Sequence, residues 1–442
     1  MTDLPPYDFD TLLTTRGINS IRGIGNIGHR VFGGRIARTV ASTVTPGRTY
    51  EVLMAPAQHF DAIRVILAVS QTAALDAITP TVQVGLAVVP DTTDASLVAA
   101  TPIPALFAGA ATTTLAPAVT SSRRTIVTTD WTVISSVPRT DGGSLPLLVI
   151  RACVVGATTG NVVMLGNGAQ NFSNWATHPS GRIWRMNGKG GQFVLGANWT
   201  GMQNSNSIAE QGCVIVGMQG LYRGKVINID GFGDSISEGQ GTYIGEGFGH
   251  PAAVALTAAD SNGVVYEWSN WGWAGQSMSQ IRDNLLDALA SGIIGAKDII
   301  TIPNASPNDI STTISAANIL AIRGKLGTAL QKIAANGIET LQWTWLPSNT
   351  SIKTYAATDS LRRAYNDETR LLASRGQIIV DLASVIAGID DGTGQIQIKA
   401  TPTNLTTDGI HPNDAGNALL TVALQNAIKK IVGTQPGSLI TS

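Results

Sequence analysis

Residues 224–239, GKVINIDGFGDSISEG, decide the fold of the second half of this chain. Their apolar beginning predicts a β-strand, and the strand runs into a turn made by Gly233, Asp234 and Ser235. A serine in such a turn exposes its hydroxyl, and nearby backbone N–H groups can stabilise a developing negative charge. Ser235 is therefore a candidate nucleophile, and a helix N-cap is the alternative interpretation of this residue.

A second segment near the C-terminus, TTDGIHPNDAG at residues 406–416, contains the groups that a nucleophilic serine needs. A serine hydroxyl must give its proton to a base, and that base works best when a third group fixes its tautomer. Asp408 and His411 lie three residues apart, so the carboxylate can reach one imidazole nitrogen while the other faces Ser235. Pro412 is predicted to open the helix that follows in its first turn.

From about residue 225 onward, strands alternate with helices. Residues 297–309 predict a strand that runs into a loop, residues 311–337 one or two helices, and residues 376–386 a strand. Such alternation predicts a parallel sheet that is covered by helices on both faces. In open sheets of this kind the reactive groups gather beyond the carboxyl ends of the strands, where the candidate residues fall.

Four separated blocks of this region resemble those of the SGNH hydrolases, also called the GDSL esterase and lipase family. They are GDSIS at 233–237, NWGWAGQS at 270–277, ASPND at 305–309 and DGIHP at 408–412. The resemblance implies an α/β three-layer, flavodoxin-like domain and a serine esterase without metal or organic cofactor. It implies Ser235 as nucleophile, His411 as base and Asp408 as acid. It also implies an oxyanion hole made by Ser235, Gly275 and Asn308.

The third block departs from the family pattern, because it usually begins with glycine and here Ser306 and Pro307 precede Asn308. The path of this loop, and with it the pose of Asn308, therefore stays open. Other interpretations also stand beside the catalytic ones. Gly275 fits a simple turn glycine, Asn308 and Asp309 fit caps of the following helix, and Asp234 fits a structural hydrogen-bonding residue.

Tryptophans cluster around two of these blocks. Trp271 and Trp273 flank Gly275, where they fit equally well as walls of a substrate cleft or as core residues. Trp343 and Trp345 alternate along one predicted strand. Alternation places side chains on the same face of a sheet, so both are expected to pack under a helix.

The N-terminal half has a different sequence pattern. Residues 46–224 contain short stretches rich in Val, Ile, Leu and Thr between turns, which predicts an all-β sandwich or jelly-roll domain with a connector, used for binding or assembly. Residues 1–45 predict an extended arm rich in Gly, Ile and Arg, which either docks on a partner or lies along its own domain. The hydrolase-like domain then occupies residues 225–442.

Composition excludes several classes of function. The 442 residues are 43% hydrophobic and carry a formal net charge of -1 without a basic run, so neither a nucleic acid nor an anionic membrane is expected as a partner. No apolar run approaches the roughly 18 residues of a membrane span. The N-terminus lacks the basic start and apolar stretch of a signal peptide, so a cytosolic or particle-associated product is expected.

Cysteines and histidines indicate no further chemistry. Cys153 and Cys213 lie in apolar runs and are interpreted as buried free thiols, with a bridge between them as the alternative. The other histidines show no spacing of metal ligands, so no metal site is predicted. They are His29, His59, His178 and His250.

Two hypotheses about function follow. The first is a serine ester hydrolase that removes O-acetyl groups from carbohydrate, because no long apolar lid is evident and an attached β-sandwich commonly holds polysaccharide. The second is a structural or attachment component of a phage tail or other particle. In that case the N-terminal region would assemble a homo-oligomer or bind a surface, and the esterase would be accessory or vestigial.

Overall fold

The computed structural model describes the following parts of the chain: residues 25–31, 42–44, 48–54, 56, 58–70, 81–89, 102–115, 124–134, 147–156, 160–164, 184–190, 214–240, 247–310, 313–349, 353, 358–390, 392 and 394–433. Cys213 lies outside these residues, whereas Cys153 is buried and its thiol is free. No helix of the described residues is long and apolar enough to cross a lipid bilayer.

Strands dominate the N-terminal half. They are β1 (Gly25–Val31), β2 (Ser42–Val44), β3 (Arg48–Met54), β4 (Phe60–Ser70), β5 (Thr81–Val89), β6 (Ile103–Ala105), β7 (Thr113–Thr114), β8 (Arg124–Thr128), β9 (Thr132–Val133), β10 (Leu147–Gly156), β11 (Gly160–Met164) and β12 (Trp184–Gly190). Strands β3, β4, β5, β10 and β11 cover the apolar stretches that sequence patterning predicts as strands.

The C-terminal half alternates strands and helices. Its strands are β13 (Ile215–Gly231), β14 (Val265–Asn270), β15 (Ile299–Pro303), β16 (Glu339–Trp343), β17 (Ile378–Val380), β18 (Ala387–Asp390) and β19 (Ile396–Ile398). Its helices are α1 (Ser235–Glu238), α2 (Gly249–Ala259), α3 (Met278–Ala290), α4 (Ala316–Ala335), α5 (Asp359–Leu371), α6 (Leu382–Ile386) and α7 (Asp414–Gly433).

A parallel sheet lies at the centre of this half. The end of β13 pairs with β14 on one side and β15 on the other, and β16 and β17 continue the sheet. The spatial order is β14-β13-β15-β16-β17, which is the 2-1-3-4-5 order of flavodoxin-like sheets. Side chains of α3 and α4 fill one apolar cluster and those of α2 and α7 another. The predicted α/β fold of this half is therefore confirmed.

Strand β13 also belongs to the strand-rich half. Its first part pairs antiparallel with β1 and with β4, so that Met218 lies opposite both Arg30 and Val65. The strand runs without interruption through residues 224 and 225, where sequence patterning places a domain boundary. The division into an arm, a β-domain and a hydrolase domain stays a prediction.

A second, antiparallel sheet has the strand order β12-β3-β10-β5-β6. Val52, Leu86 and Ile150 of this sheet share one buried apolar cluster with Ile63 and Met218 of the first sheet. The N-terminal region is thus strand-rich, as expected, and its jelly-roll connectivity stays a prediction.

Two local predictions are wrong. Residues 376–386 are expected to form one strand, but only Ile378–Val380 do so, because the Asp381 carboxylate caps α6, which follows at once. Trp343 and Trp345 do not share one face: Trp343 packs with the α2 and α7 cluster, and Trp345 with the α3 and α4 cluster. Strand β16 ends at Trp343, so alternation along a pleated strand no longer applies at Trp345.

Candidate active site

Ser235 is the first residue of α1, and a short turn separates it from the carboxyl end of β13 at Gly231. Asp234 caps this short helix, since its Oδ1 accepts a hydrogen bond of 3.0 Å from the Ile236 N–H. Gly233 is required at the turn, because a Cβ there would collide with the side chain of Ser237. The turn predicted from the sequence therefore forms and presents Ser235, which is 6% exposed.

His411 and Asp408 lie in one tight loop before α7. The Asp408 Oδ1 accepts hydrogen bonds from the backbone N–H groups of Ile410 (3.0 Å) and His411 (2.9 Å). Its Oδ2 lies 2.6 Å from His411 Nδ1, and His411 Nε2 lies 2.9 Å from Ser235 Oγ. The structure thus brings the three predicted residues into one hydrogen-bonded chain.

The helix after this loop begins later than expected. Asn413 precedes α7, and its Oδ1 accepts a hydrogen bond of 3.0 Å from the Gly416 N–H. Pro412 therefore lies outside the first turn of the helix, and the prediction that it opens the helix is wrong. An asparagine before a helix can accept a hydrogen bond from a backbone N–H group of the first turn, whereas a proline side chain has no acceptor for it.

The electrostatics of the loop favour an ionised carboxylate. Partial burial would raise the pKa of Asp408, but hydrogen bonds from the His411 N–H, the His411 imidazole and the Ile410 N–H together lower this pKa below its usual value. An ionised Asp408 accepts a hydrogen bond from the Nδ1–H of His411, which leaves Nε2 to accept a hydrogen bond from the Ser235 hydroxyl. The side chain of Asp408 is 46% exposed and that of His411 is 12% exposed. Of these two residues, Asp408 is therefore the one in closer contact with solvent.

Gly275 lies in the loop that follows β14. The Trp273 N–H donates to the Gly233 carbonyl (3.1 Å), and the Ala274 N–H donates to Glu238 Oε2 (2.8 Å). These bonds tie the loop to the turn of Ser235. Gly275 itself is exposed and has a φ of 82°, a left-handed conformation that favours glycine.

Asn308 lies in a 3₁₀ turn, Pro307–Asp309, that follows β15. Its side chain is exposed, and Nδ2 donates to the Gln276 carbonyl at 3.1 Å. The loops of Gly275 and Asn308 therefore meet beside Ser235. Their role as an oxyanion hole with the Ser235 N–H stays a prediction.

Asp309 caps a different helix from the one expected. Its Oδ2 accepts from the Met278 N–H at 2.8 Å, at the start of α3, and its Oδ1 lies 3.2 Å from Lys325 Nζ. Helix α4, which follows Asp309 in the chain, is capped by Ser315 instead. The interpretation of Asp309 as a cap of the following helix is therefore wrong.

Trp271 and Trp273 are buried core residues. They are 0% and 2% exposed, and Trp271 stacks on Phe232 with ring centroids 5.6 Å apart. The Trp271 Nε1–H donates to Asp230 Oδ1 at 2.7 Å. Of the two interpretations of these residues, core packing is the one that the structure supports.

Sequence reasoning missed a buried cluster next to this tryptophan. His29 of β1 places Nε2 2.8 Å from Asp230 Oδ1 and Nδ1 3.9 Å from Asp298 Oδ2, and all three side chains are buried. Burial would lower the pKa of His29, but the two carboxylates raise it to about 9. Burial raises the pKa of Asp298 to about 6.

These three groups lie close enough together to hold a metal ion. The imidazole, however, contacts the two carboxylates through different nitrogens, so that it lies between them. This arrangement favours a protonated imidazole, whose positive charge balances the negative charge of the carboxylates. Residues separated by about 200 positions show no local ligand spacing, which is why the sequence did not reveal the cluster.

Comparison with known proteins identifies the region that contains the site. Residues 232–419 match the model of the GDSL-like Lipase/Acylhydrolase family. A member of the lipolytic protein G-D-S-L family from Veillonella parvula is 18% identical and has a TM-score of 0.34; the match covers 45% of this chain and 97% of that chain. A GDSL-like lipase from Bacteroides thetaiotaomicron is 16% identical, with a TM-score of 0.32 and coverage of 47% and 88%. The comparison with curated proteins found no match.

Proposed function

We propose that the carboxylic ester hydrolase formed by residues 232–419, which belong to the GDSL-like lipase/acylhydrolase family, removes O-acetyl groups from carbohydrate. The observation that carries this proposal is the hydrogen-bonded chain from Asp408 through His411 to Ser235. A serine hydroxyl that donates to an imidazole, which in turn donates to a carboxylate, is the arrangement that generates a nucleophile at neutral pH.

In the first half of the reaction, Ser235 Oγ attacks the ester carbonyl carbon and His411 Nε2 takes the hydroxyl proton. Asp408 keeps the proton on Nδ1 and stabilises the imidazolium that forms. The negative oxygen of the tetrahedral intermediate accepts hydrogen bonds from the N–H groups of Ser235 and Gly275 and from the Asn308 amide. Nε2 then protonates the leaving alcohol as the carbon–oxygen bond breaks.

In the second half, water attacks the acyl-serine while Nε2 takes one of its protons. The second tetrahedral intermediate collapses, the bond to Oγ breaks, and Nε2 returns the proton to Ser235. Acetic acid leaves and loses its proton to the solvent, and the chain of hydrogen bonds is restored. All steps use groups of this chain and water, so no cofactor is needed for the hydrolysis.

The exposure of the site supports a short acyl group on a large polar alcohol. Gly275 and Asn308 are exposed, and the Asp408 side chain is nearly half exposed. Among the described residues, the tryptophans nearest to Gly275 are buried in the core and do not line an acyl channel. Exposed polar groups suit an ester on a bulky sugar better than a long acyl chain. No observation favours the alternative of a particle component with a vestigial site.

The test uses the full chain and a fluorophosphonate, which reacts with activated serines. Intact mass should show one adduct, and p-nitrophenyl acetate and an acetylated xylan should both release acetate. Ser235→Ala should abolish adduct and turnover, whereas Ser279→Ala, which changes a serine at the start of α3, should keep both. An unlabelled, inactive but folded wild type would contradict the proposal. Faster hydrolysis of p-nitrophenyl decanoate than of every acetyl ester would contradict the assignment of an acetyl group.

A further inference from the structure

Ser306 lies at the point where three segments of the proposed site meet. It is the serine that stands where the family usually has glycine, and it is completely buried. Its Oγ lies 2.6 Å from Asp234 Oδ2, which precedes Ser235, and 2.7 Å from the carbonyl of Gln276, which follows Gly275. The same Oγ lies 3.2 Å from the backbone nitrogen of Asn308.

The hydrogen atoms available around Ser306 Oγ determine the protonation state of Asp234. Two O···O distances as short as 2.6 and 2.7 Å each require a hydrogen between the atoms. The Ser306 hydroxyl has one hydrogen, and the Gln276 carbonyl has none. The second hydrogen must therefore be on the Asp234 carboxyl group.

A neutral Asp234 satisfies every group of the cluster. Asp234 O–H donates to Ser306 Oγ, and Ser306 O–H donates to the Gln276 carbonyl. Ser306 Oγ then accepts the hydrogen bond from Asp234 with one lone pair, and the Asn308 N–H and Nδ2, each 3.2 Å away, share the other. Asn308 Nδ2 donates one hydrogen to the Gln276 carbonyl at 3.1 Å. Nδ2 also lies 3.2 Å from Ser306 Oγ, so the Gln276 carbonyl and the Ser306 hydroxyl together hold the Asn308 amide in place.

The surroundings of Asp234 agree with this count. The side chain is completely buried, and Oδ1 accepts a hydrogen bond from the Ile236 N–H, which the carbonyl oxygen of a neutral carboxyl group can also do. Burial is the largest influence on the pKa of Asp234 and raises it; the nearby Asp309 acts in the same direction. The bonds from Ser306 and Ile236 and the charge of His411 act in the opposite direction.

We propose that Ser306 is a positioning residue of the oxyanion hole and that Asp234 holds it as a neutral carboxylic acid. The inference rests on the proposed function, because it assigns a task within the same site. Ser306 fixes the carbonyl next to Gly275 and the turn of Asn308 relative to Ser235. A neutral Asp234 also keeps a negative charge away from the oxygen that becomes negative during the reaction.

Kinetics test the positioning role. Ser306→Ala, and Ser306→Gly as a second variant with the family's usual residue, should lower kcat for p-nitrophenyl acetate about 10- to 100-fold, since oxyanion-hole donors lose their alignment. KM should change less than about threefold, because the substrate alcohol is not contacted. Asp234→Asn, which keeps a neutral donor and acceptor, should retain kcat within about threefold of the wild type. Ser348→Ala, which removes a buried hydroxyl outside this network, is the control.

Unchanged kcat in both Ser306 variants, or a rise in KM with unchanged kcat, would overturn the positioning role. A loss in Asp234→Asn as large as in Ser306→Ala would overturn the neutral carboxyl group.

Infrared difference spectroscopy tests the protonation of Asp234 without relying on activity. The spectrum of the wild type minus Asp234→Asn at pH 7 should contain the carbonyl band of a protonated carboxylic acid. A carboxylate band alone would overturn the inference. If the wild type has neither adduct nor turnover, the proposed function and the positioning role both fail, and the spectrum still decides the state of Asp234.

Discussion

His411 Nε2 lies 2.9 Å from Ser235 Oγ, although 176 residues separate the two in the chain. The contact forms because β13 ends at Gly231, one short turn before Ser235, and because the loop before α7 is held over the same edge of the sheet. In that loop the Gly409 carbonyl accepts the Asn349 N–H at 2.7 Å. The distance therefore depends on two loops whose own hydrogen bonds define their shape.

Asp408→Asn should lower kcat about 10³- to 10⁴-fold, because an amide in place of the carboxylate no longer fixes the Nδ1–H tautomer of His411. Asp414→Asn changes an exposed carboxylate at the start of α7 and should leave kcat within about twofold of the wild type, as expected for surface changes. The measurement is steady-state hydrolysis of p-nitrophenyl acetate at pH 7.5. Equal rates in the two variants would show that Asp408 does not orient the imidazole.

Asn308→Ala should lower kcat about 10²-fold with little change in KM, because the proposed oxyanion hole loses one of its donors. Asn262→Ala, in an exposed turn before β14, is the control and should have wild-type kinetics. The two constants are measured separately for an acetyl ester. A change confined to KM would indicate that Asn308 binds the substrate without stabilising the transition state.

Gly231→Ala should destabilise the protein by roughly 1–3 kcal/mol or more, because the new Cβ would overlap the Trp268 ring at the end of β13. Gly324→Ala is the matched change in α4, where nothing lies within 4 Å of the new Cβ. It should stabilise by up to about 1 kcal/mol, since alanine is the better helix former. Urea unfolding gives both values, and a stable Gly231→Ala would mean that the Trp268 ring moves freely.

His29 should make stability fall with rising pH. Its pKa is about 9 in the folded protein and 6.5 in the unfolded chain, so its contribution is complete below pH 6.5 and lost as the pH rises through 9. Linkage gives a loss of about 3 kcal/mol over this interval as an upper bound. Asp298, with a pKa of about 6, has completed most of its titration before the middle of this interval.

The measurement is the free energy of unfolding at pH 6.5 and pH 9. The decrease between them should be smaller in His29→Gln than in the wild type, whereas His59→Gln, which changes an exposed imidazole, should keep it. An equal decrease in all three proteins would show that the buried cluster does not titrate in this interval.

Much of the C-terminal fold was predictable, because parallel strands and the loops at their carboxyl ends follow from local pattern. Strand β13 ends at Gly231, shortly before Ser235, and β15 ends at Pro303, shortly before the turn of Asn308. Helix α2 and strand β14 were missed. Buried residues of α2 include Ala252, Ala253 and Leu256, but most of its other residues are small and apolar too, so the helix lacks the amphipathic stripe that reveals a surface helix.

Other features depend on distant contacts and could not be read from local pattern. His29 meets Asp230 across 201 residues, and β1 reaches that position only by pairing with β13. The role of Ser306 depends on where the Gln276 carbonyl lies in the folded chain. The sequence alone shows that Ser306 departs from the family pattern. The distances around its Oγ are needed to infer which groups the serine holds in place.

The uninterrupted course of β13 has a consequence for folding. One end of this strand is held by β1 and β4, and its other end leads directly into Ser235. A deletion that starts the chain at residue 225 would cut the strand in two and remove the half that pairs with β4. The two halves of the protein are therefore expected to melt in a single cooperative transition. A displacement of the N-terminal strands would also reach Ser235 along one continuous backbone.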